Sequence, residues 1–169
     1  MNCVIHRSAI FVFALSSVNS LMAGTVGGQC SPHYVSIKQD RVNSHKGPGV
    51  QYKRAFAYIV SGTPVMVTAK YDNWRRIKDP EGCVSWVHKS QLSSRRSVIV
   101  TYDDGAKLLD SCSTRASVIA HVKKNVVMML LSTRGNLCKV EVRNKSDGKK
   151  YVGWIENDKV FGVDGNELL

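Results

Sequence analysis

The sequence predicts an all-β protein built as two small tandem barrels. Three observations carry this. From Tyr34 onward, short β-rich runs alternate with turn signals. No segment keeps a 3.6-residue apolar period. The second half repeats the plan of the first at a spacing of about 63–68 residues, the size of one small barrel rather than of a solenoid unit.

At the N-terminus, residues 1–23 have the layout of a secretory signal. His6 and Arg7 precede the apolar run Ala9–Leu15, and Leu21-Met22-Ala23 stands before Gly24 as the cleavage site, with Val18-Asn19-Ser20 as the alternative. The run is too short to span a bilayer, which needs ~20 apolar residues. The expected product is exported, periplasmic or secreted, and at most peripheral to a membrane. Gly24–His33 is glycine-rich and reads as a linker.

The first barrel is expected over 34–96. Its runs are Tyr34–Lys38, Phe56–Val60, Pro64–Lys70, Asn73–Lys78 and Cys83–His88. Lys46-Gly47-Pro48-Gly49, Ser61-Gly62-Thr63 and Asp79-Pro80-Glu81-Gly82 punctuate them; the last has Pro second and Gly fourth, as a type I turn prefers. The second barrel is expected over 97–169, with runs Ala106–Leu109, Val118–Lys123, Val126–Thr133, Leu137–Arg143 and Tyr151–Ile155. The join falls near Ser93–Ser97, and Val98–Tyr102 fits either half.

The repeat aligns Pro64–Val67 with Val126–Met129, Asp72–Ile77 with Gly135–Val140, and Ser85–Leu92 with Gly153–Val160. Strand parity then separates core from surface. Cys138, Val140 and Val142 share an apolar face, so Ile77 belongs to the core. Trp74, Arg76 and Lys78 fall on the wet face of the matching strand. A tryptophan among cations there either offers a stacking surface or covers the contact between barrels. Trp86 and Trp154 recur at equivalent places and read as core or rim packing. Tyr52 and Tyr58 flank the Gly-Pro-Gly turn, where they would line a groove or simply pack.

These residues resemble the bacterial SH3-like domains of exported proteins, and more closely a small exported family carrying two such domains. The resemblance rests on Val42-Asn43-Ser44-His45-Lys46-Gly47-Pro48-Gly49, on Asn73-Trp74-Arg75-Arg76-Ile77 and on Ser85-Trp86-Val87-His88, and covers about Tyr34 to Glu167. Ser44-His45 and Ser85 depart from the family pattern, and the second half lacks the Gly-Pro-Gly turn and the first Trp. The resemblance implies SH3-like barrels, no cofactor, and a module that binds peptidoglycan, wall peptides or envelope proteins. The candidate ligand residues are Trp74, Arg76, Lys78, Asn43, His45, Tyr52 and Tyr58.

The net charge is +11. Residues 34–97 hold 12 basic and 4 acidic residues, and 98–169 hold 11 and 9, so the basic surface belongs to the first barrel. Such a surface attracts polyanions. Export makes wall, envelope or an acidic partner protein the expected target rather than nucleic acid. Cys30, Cys83, Cys112 and Cys138 form an even set, which in an oxidising compartment suggests two disulfides. Three connectivities are possible, of which one bridge per half, Cys112–Cys138 and Cys30–Cys83, is favoured. No CxxC or CxxH spacing points to zinc. His33, His45, His88 and His121 are scattered, and the chain reads as non-catalytic.

Overall fold

A computed structural model describes residues 28–144 and 147–164. The expected signal segment, 1–23, lies outside the described residues. Two seven-stranded antiparallel sheets form, each wrapped around its own core as an SH3-like barrel. The first contains β1 (Gly28–Ile37), β2 (Val42–His45), β3 (Arg54–Tyr58), β4 (Pro64–Tyr71), β5 (Trp74–Lys78), β6 (Val84–His88) and β7 (Leu92–Ser93), in the order β3-β2-β6-β5-β4-β1-β7. The second contains β8 (Ser97–Val100), β9 (Ala106–Leu109), β10 (Val118–Val122), β11 (Val127–Arg134), β12 (Leu137–Arg143), β13 (Lys150–Glu156) and β14 (Val160–Phe161), in the order β10-β9-β13-β12-β11-β8-β14. Strand for strand the two orders are the same. One 3-10 turn precedes the last strand of each sheet, at Lys89–Gln91 and Asn157–Lys159.

The repeat extends to backbone detail. Tyr71 pairs with Trp74 around a two-residue turn in which Asp72 takes φ 46°; Arg134 pairs with Leu137 around one in which Gly135 takes φ 58°. A left-handed residue is what so tight a hairpin demands, and Asp and Gly both tolerate it. Asn73 O accepts from Lys89 N (2.7 Å), and Asn136 O from Asn157 N (2.9 Å).

The cores obey the alternation read from the sequence. Ile77, Val65, Val67 and Val87 close the first with Ile37 and Val42. Cys138, Val140, Ile155, Leu108 and Met128 close the second with Val98 and Val100. The small residues compensate across the repeat. Ser44 and Ser85 are buried in the first barrel, where the second has Leu108 and Gly153. A Cβ on Gly153 would meet Leu109 O at 2.6 Å and Leu108 Cγ at 2.7 Å.

Three expectations change. β1 begins at Gly28, inside the segment read as a linker, and pairs with β4 from Gly28↔Lys70 through a bulge to His33↔Val67. A ladder needs backbone donors and acceptors, which glycine supplies as well as any residue. Val98–Val100, left open between the halves, belongs to the second sheet, because β8 pairs with β11 and β14. The expected Cys112–Cys138 and Cys30–Cys83 bridges are not formed, and all four are free thiols. Cys138 points into the second core and its Sγ contacts Ile155 O at 3.6 Å, while Cys112 stands by the Arg134 guanidinium at 3.2 Å. Cys30 packs against the first core, and Cys83 is exposed at the β5–β6 turn.

The barrels touch through Tyr34 and Phe161, whose rings meet edge to face at 5.2 Å, and through the connector Ser93–Ser97. Ser36 Oγ donates to Arg95 O (2.8 Å), Ser97 Oγ to Gly62 O (2.5 Å), and Arg96 Nη2 to Gly162 O (2.8 Å).

Candidate functional site

The site is built by two turns and one alternation. The Asp72-Asn73 turn makes Trp74 the first residue of β5. At the far end of that strand Asp79 organises the return: its Oδ1 accepts from Glu81 N (3.0 Å) and Cys83 N (2.8 Å), and its backbone N donates to Cys83 O. The resulting register sets Trp74 opposite His88. On β2, alternation sends Val42 and Ser44 inward and Asn43 and His45 outward. His45 pairs with Trp86, and its ring also reaches Trp74 from β2, across β6.

Trp74 therefore contacts two imidazoles. The His45 ring lies 5.2 Å away at 80°, and the His88 ring 5.6 Å away at 84°. Both are edge-to-face contacts of the kind that hold aromatic groups in place. A concavity of about 230 Å³ opens beside them, lined by Arg41, Val42, Asn43, His45, Val50, Trp74, His88 and Gln91. Val50 comes from the Gly-Pro-Gly turn, so that turn forms a wall. Gln91 Oε1 has no hydrogen-bond partner among the described residues.

The two histidines differ chemically. A carbonyl can only accept, so the 2.8 Å contact between His45 Nδ1 and Tyr52 O assigns the proton to Nδ1. The neutral ring then offers Nε2 as an acceptor. His88 Nδ1 accepts from Ser90 N (3.3 Å) and caps the 3-10 turn, which assigns the proton of its neutral ring to Nε2, a donor. With both rings neutral, the site presents one acceptor and one donor beside an indole.

Of the seven candidate ligand residues, the structure brings Trp74, Asn43 and His45 together. Arg76 and Lys78 are exposed on the outer side of β5, as parity required, but further along the strand and outside the concavity. Tyr52 contributes its carbonyl, while its half-exposed ring covers Gly47. Tyr58 is a core residue, 8% exposed, its hydroxyl 3.5 Å from Asp79 Oδ2. Burial pushes its phenol well above the ordinary range. The sequence reading missed Arg41, Val50, His88 and Gln91. Counting outward from the Asp79–Cys83 turn would have paired Trp74 with His88. Trp86, expected in the core or rim, is 9% exposed, but alternation puts it on the outer side beside Arg76 and His45.

The second barrel keeps the scaffold and lacks the site. Leu109, Leu137 and Glu156 stand where the first has His45, Trp74 and His88. It keeps Trp154 at the place of Trp86, with Lys139 Nζ 6.0 Å from the ring. Charge follows the same division. Among the described residues, the ion pairs Lys124–Asp103, Lys150–Glu141 and Lys159–Asp158 all lie in the second barrel. Also among the described residues, no three His, Cys, Asp or Glu side chains gather as a metal site, and no helix is long and apolar enough to cross a membrane.

Residues 38–94 match the bacterial SH3 domain family. The first barrel is a bacterial SH3 domain. Every residue lining the Trp74 concavity falls inside the match. No curated protein matches the chain. Among solved structures it is similar to NlpC2 from Trichomonas vaginalis, at 14% identity over 80% of this chain and 51% of that one, with a TM-score of 0.34. It is also similar to NlpC1 from the same organism, at 12% identity over 86% and 54%, again with a TM-score of 0.34. The chain spans about half the length of each.

Proposed function

We propose that the chain is an exported, non-catalytic binding module of the bacterial cell envelope, and that the bacterial SH3 domain binds peptidoglycan or wall peptides at the Trp74 concavity. The observation that carries this is the His45–Trp74–His88 cluster. An indole face stacks on the C–H face of a sugar or on a peptide side chain. The flanking acceptor and donor suit a hydroxyl or an amide, which wall glycan and wall peptide both present. The loss of all three residues from an otherwise matching second barrel separates them from the needs of the fold.

The basic surface of the first barrel supports a second reading, docking on an acidic envelope or host protein by charge. Sedimentation of the chain with purified peptidoglycan across a salt series decides between them. Wall binding should survive ~0.3 M salt, where the Debye length shrinks to several ångströms, and should depend on Trp74. Pelleting that salt removes equally from the native chain and Trp74→Ala would sink the wall reading.

A further inference from the structure

A second cavity lies away from Trp74. A cleft of about 460 Å³ lies between the two barrels, over the connector Ser93–Ser97. Its size falls in the range of small-molecule sites, and such sites favour domain junctions. The connector is pinned to the first barrel. Ser36 and Ser97 hydroxyls donate to Arg95 O and Gly62 O, one bond on each side of the connector.

The chemistry of its walls is specific. Lys38, Arg95 and Arg96 line it, and no acidic residue does. Arg96 already donates to Gly162 O and lies 5.6 Å from the Tyr34 ring. Lys38 and Arg95 are exposed, and their side chains have no acidic partner among the described residues. Backbone donors around the cleft are spent: Gly62 N on Ile37 O, Lys38 N on Gln91 O, and Ser61 N on Asp40 Oδ1. Charged recognition is therefore left to the cationic side chains, with the Ser61 and Ser93 hydroxyls on the same walls. On the second-barrel side, Val127 and Met129 supply apolar surface.

We infer that this cleft is a second binding site, for a small organic anion carrying a carboxylate or phosphate on a short apolar body. The head pairs with Lys38 and Arg95, and the body lies against Val127 and Met129, so the ligand touches both barrels. The site is independent of the Trp74 concavity.

The test is calorimetric titration of the chain with hexyl phosphate, hexanoate, inorganic phosphate and hexanol, with the thermal midpoint followed in parallel. Hexyl phosphate or hexanoate should bind and raise the midpoint, because a ligand of the folded state stabilises it. Lys38→Ala/Arg95→Ala should weaken that binding by about tenfold or more, in keeping with loss of charge-assisted hydrogen bonds. Trp74→Ala should leave it unchanged. Both substituted cations are exposed, so the double variant should fold. Absence of binding at ~10 mM, a millimolar limit beyond which affinity is negligible, would overturn the proposal. So would equal binding by hexanol, equal binding by inorganic phosphate, or full affinity in the double variant.

Discussion

Trp74 and His88 face each other across the β5–β6 ladder with ring centroids 5.6 Å apart and ring planes at 84°. At the same place in the second barrel, Leu137 faces Glu156. One protein thus shows that the scaffold accepts either pair. Grafting the second pair into the first barrel, Trp74→Leu/His88→Glu, should reduce wall binding by about tenfold or more, as loss of an aromatic anchor does. Folding should persist. His88 caps its 3-10 turn, whereas Glu156 makes no side-chain cap, so a stability loss of ~1 kcal/mol is expected. Sedimentation and urea unfolding check the two halves of this statement.

The division between the barrels also explains what could be read in advance. Parity placed Ile77, Cys138 and Val140 in the cores and Trp74 on the outer side, because a strand offers only two faces. It could not say that Arg76 and Lys78 would miss the concavity, since that depends on which neighbouring strand covers which end of β5. His88 went unread although the β5–β6 hairpin pairs it with Trp74, because its importance comes from the residue opposite. β2 follows the polar stretch Gln39–Arg41 and carries polar Asn43, Ser44 and His45 among its four residues, β7 is two residues long, too short for alternation to emerge, and β1 starts in a glycine-rich stretch that has no pattern. Tyr52 and Tyr58 both flank the turn in sequence, yet only the fold shows one ring covering a glycine and the other in the core.

Gly153 carries a prediction about packing. Its missing side chain is occupied by Leu108, while the first barrel has Ser85 and Ser44 at those places. Gly153→Ala should destabilise the second barrel by ~1–3 kcal/mol, the usual cost of overpacking, because the new methyl meets backbone at Leu109 O. Leu108→Ser in the same chain should recover part of the clash at the expense of the core. Urea midpoints of the single and double variants measure the coupling.

The thiols give a prediction about pH. Burial pushes the Cys138 thiol up to about 12 from the ordinary 9.0. A group raised in the folded state adds stability that is whole below its unfolded value and is lost as pH rises toward its folded one. The urea midpoint should therefore hold between about pH 7 and 8.5 and fall above ~9, with a limiting slope near 1.4 kcal/mol per pH unit for this one group. Tyr58 is raised as well and adds to the fall at higher pH. Cys138→Ala should flatten the first part of the curve. In the native chain a thiol reagent at pH 8 should modify exposed Cys83 rapidly and Cys138 only after unfolding.

Tyr52 separates the part an aromatic plays from the part its backbone plays. Its carbonyl accepts from His45 Nδ1 at 2.8 Å, while its ring covers Gly47, where a Cβ would lie 2.3 Å from Cδ1. If the backbone matters, Tyr52→Ala should bind peptidoglycan within about twofold of the native chain, because the ring lines no part of the concavity, and contacts outside a binding site's core carry little energy. Gly47→Ala should do worse. The new methyl pushes the ring aside, drags on the carbonyl and releases the imidazole from the orientation that holds it against Trp74. The double variant Gly47→Ala/Tyr52→Ala removes the collision and keeps the carbonyl, so it should bind better than Gly47→Ala alone. Sedimentation of the three variants with peptidoglycan measures the order. A Tyr52→Ala chain that binds as poorly as Trp74→Ala would instead make the tyrosine ring part of the ligand surface.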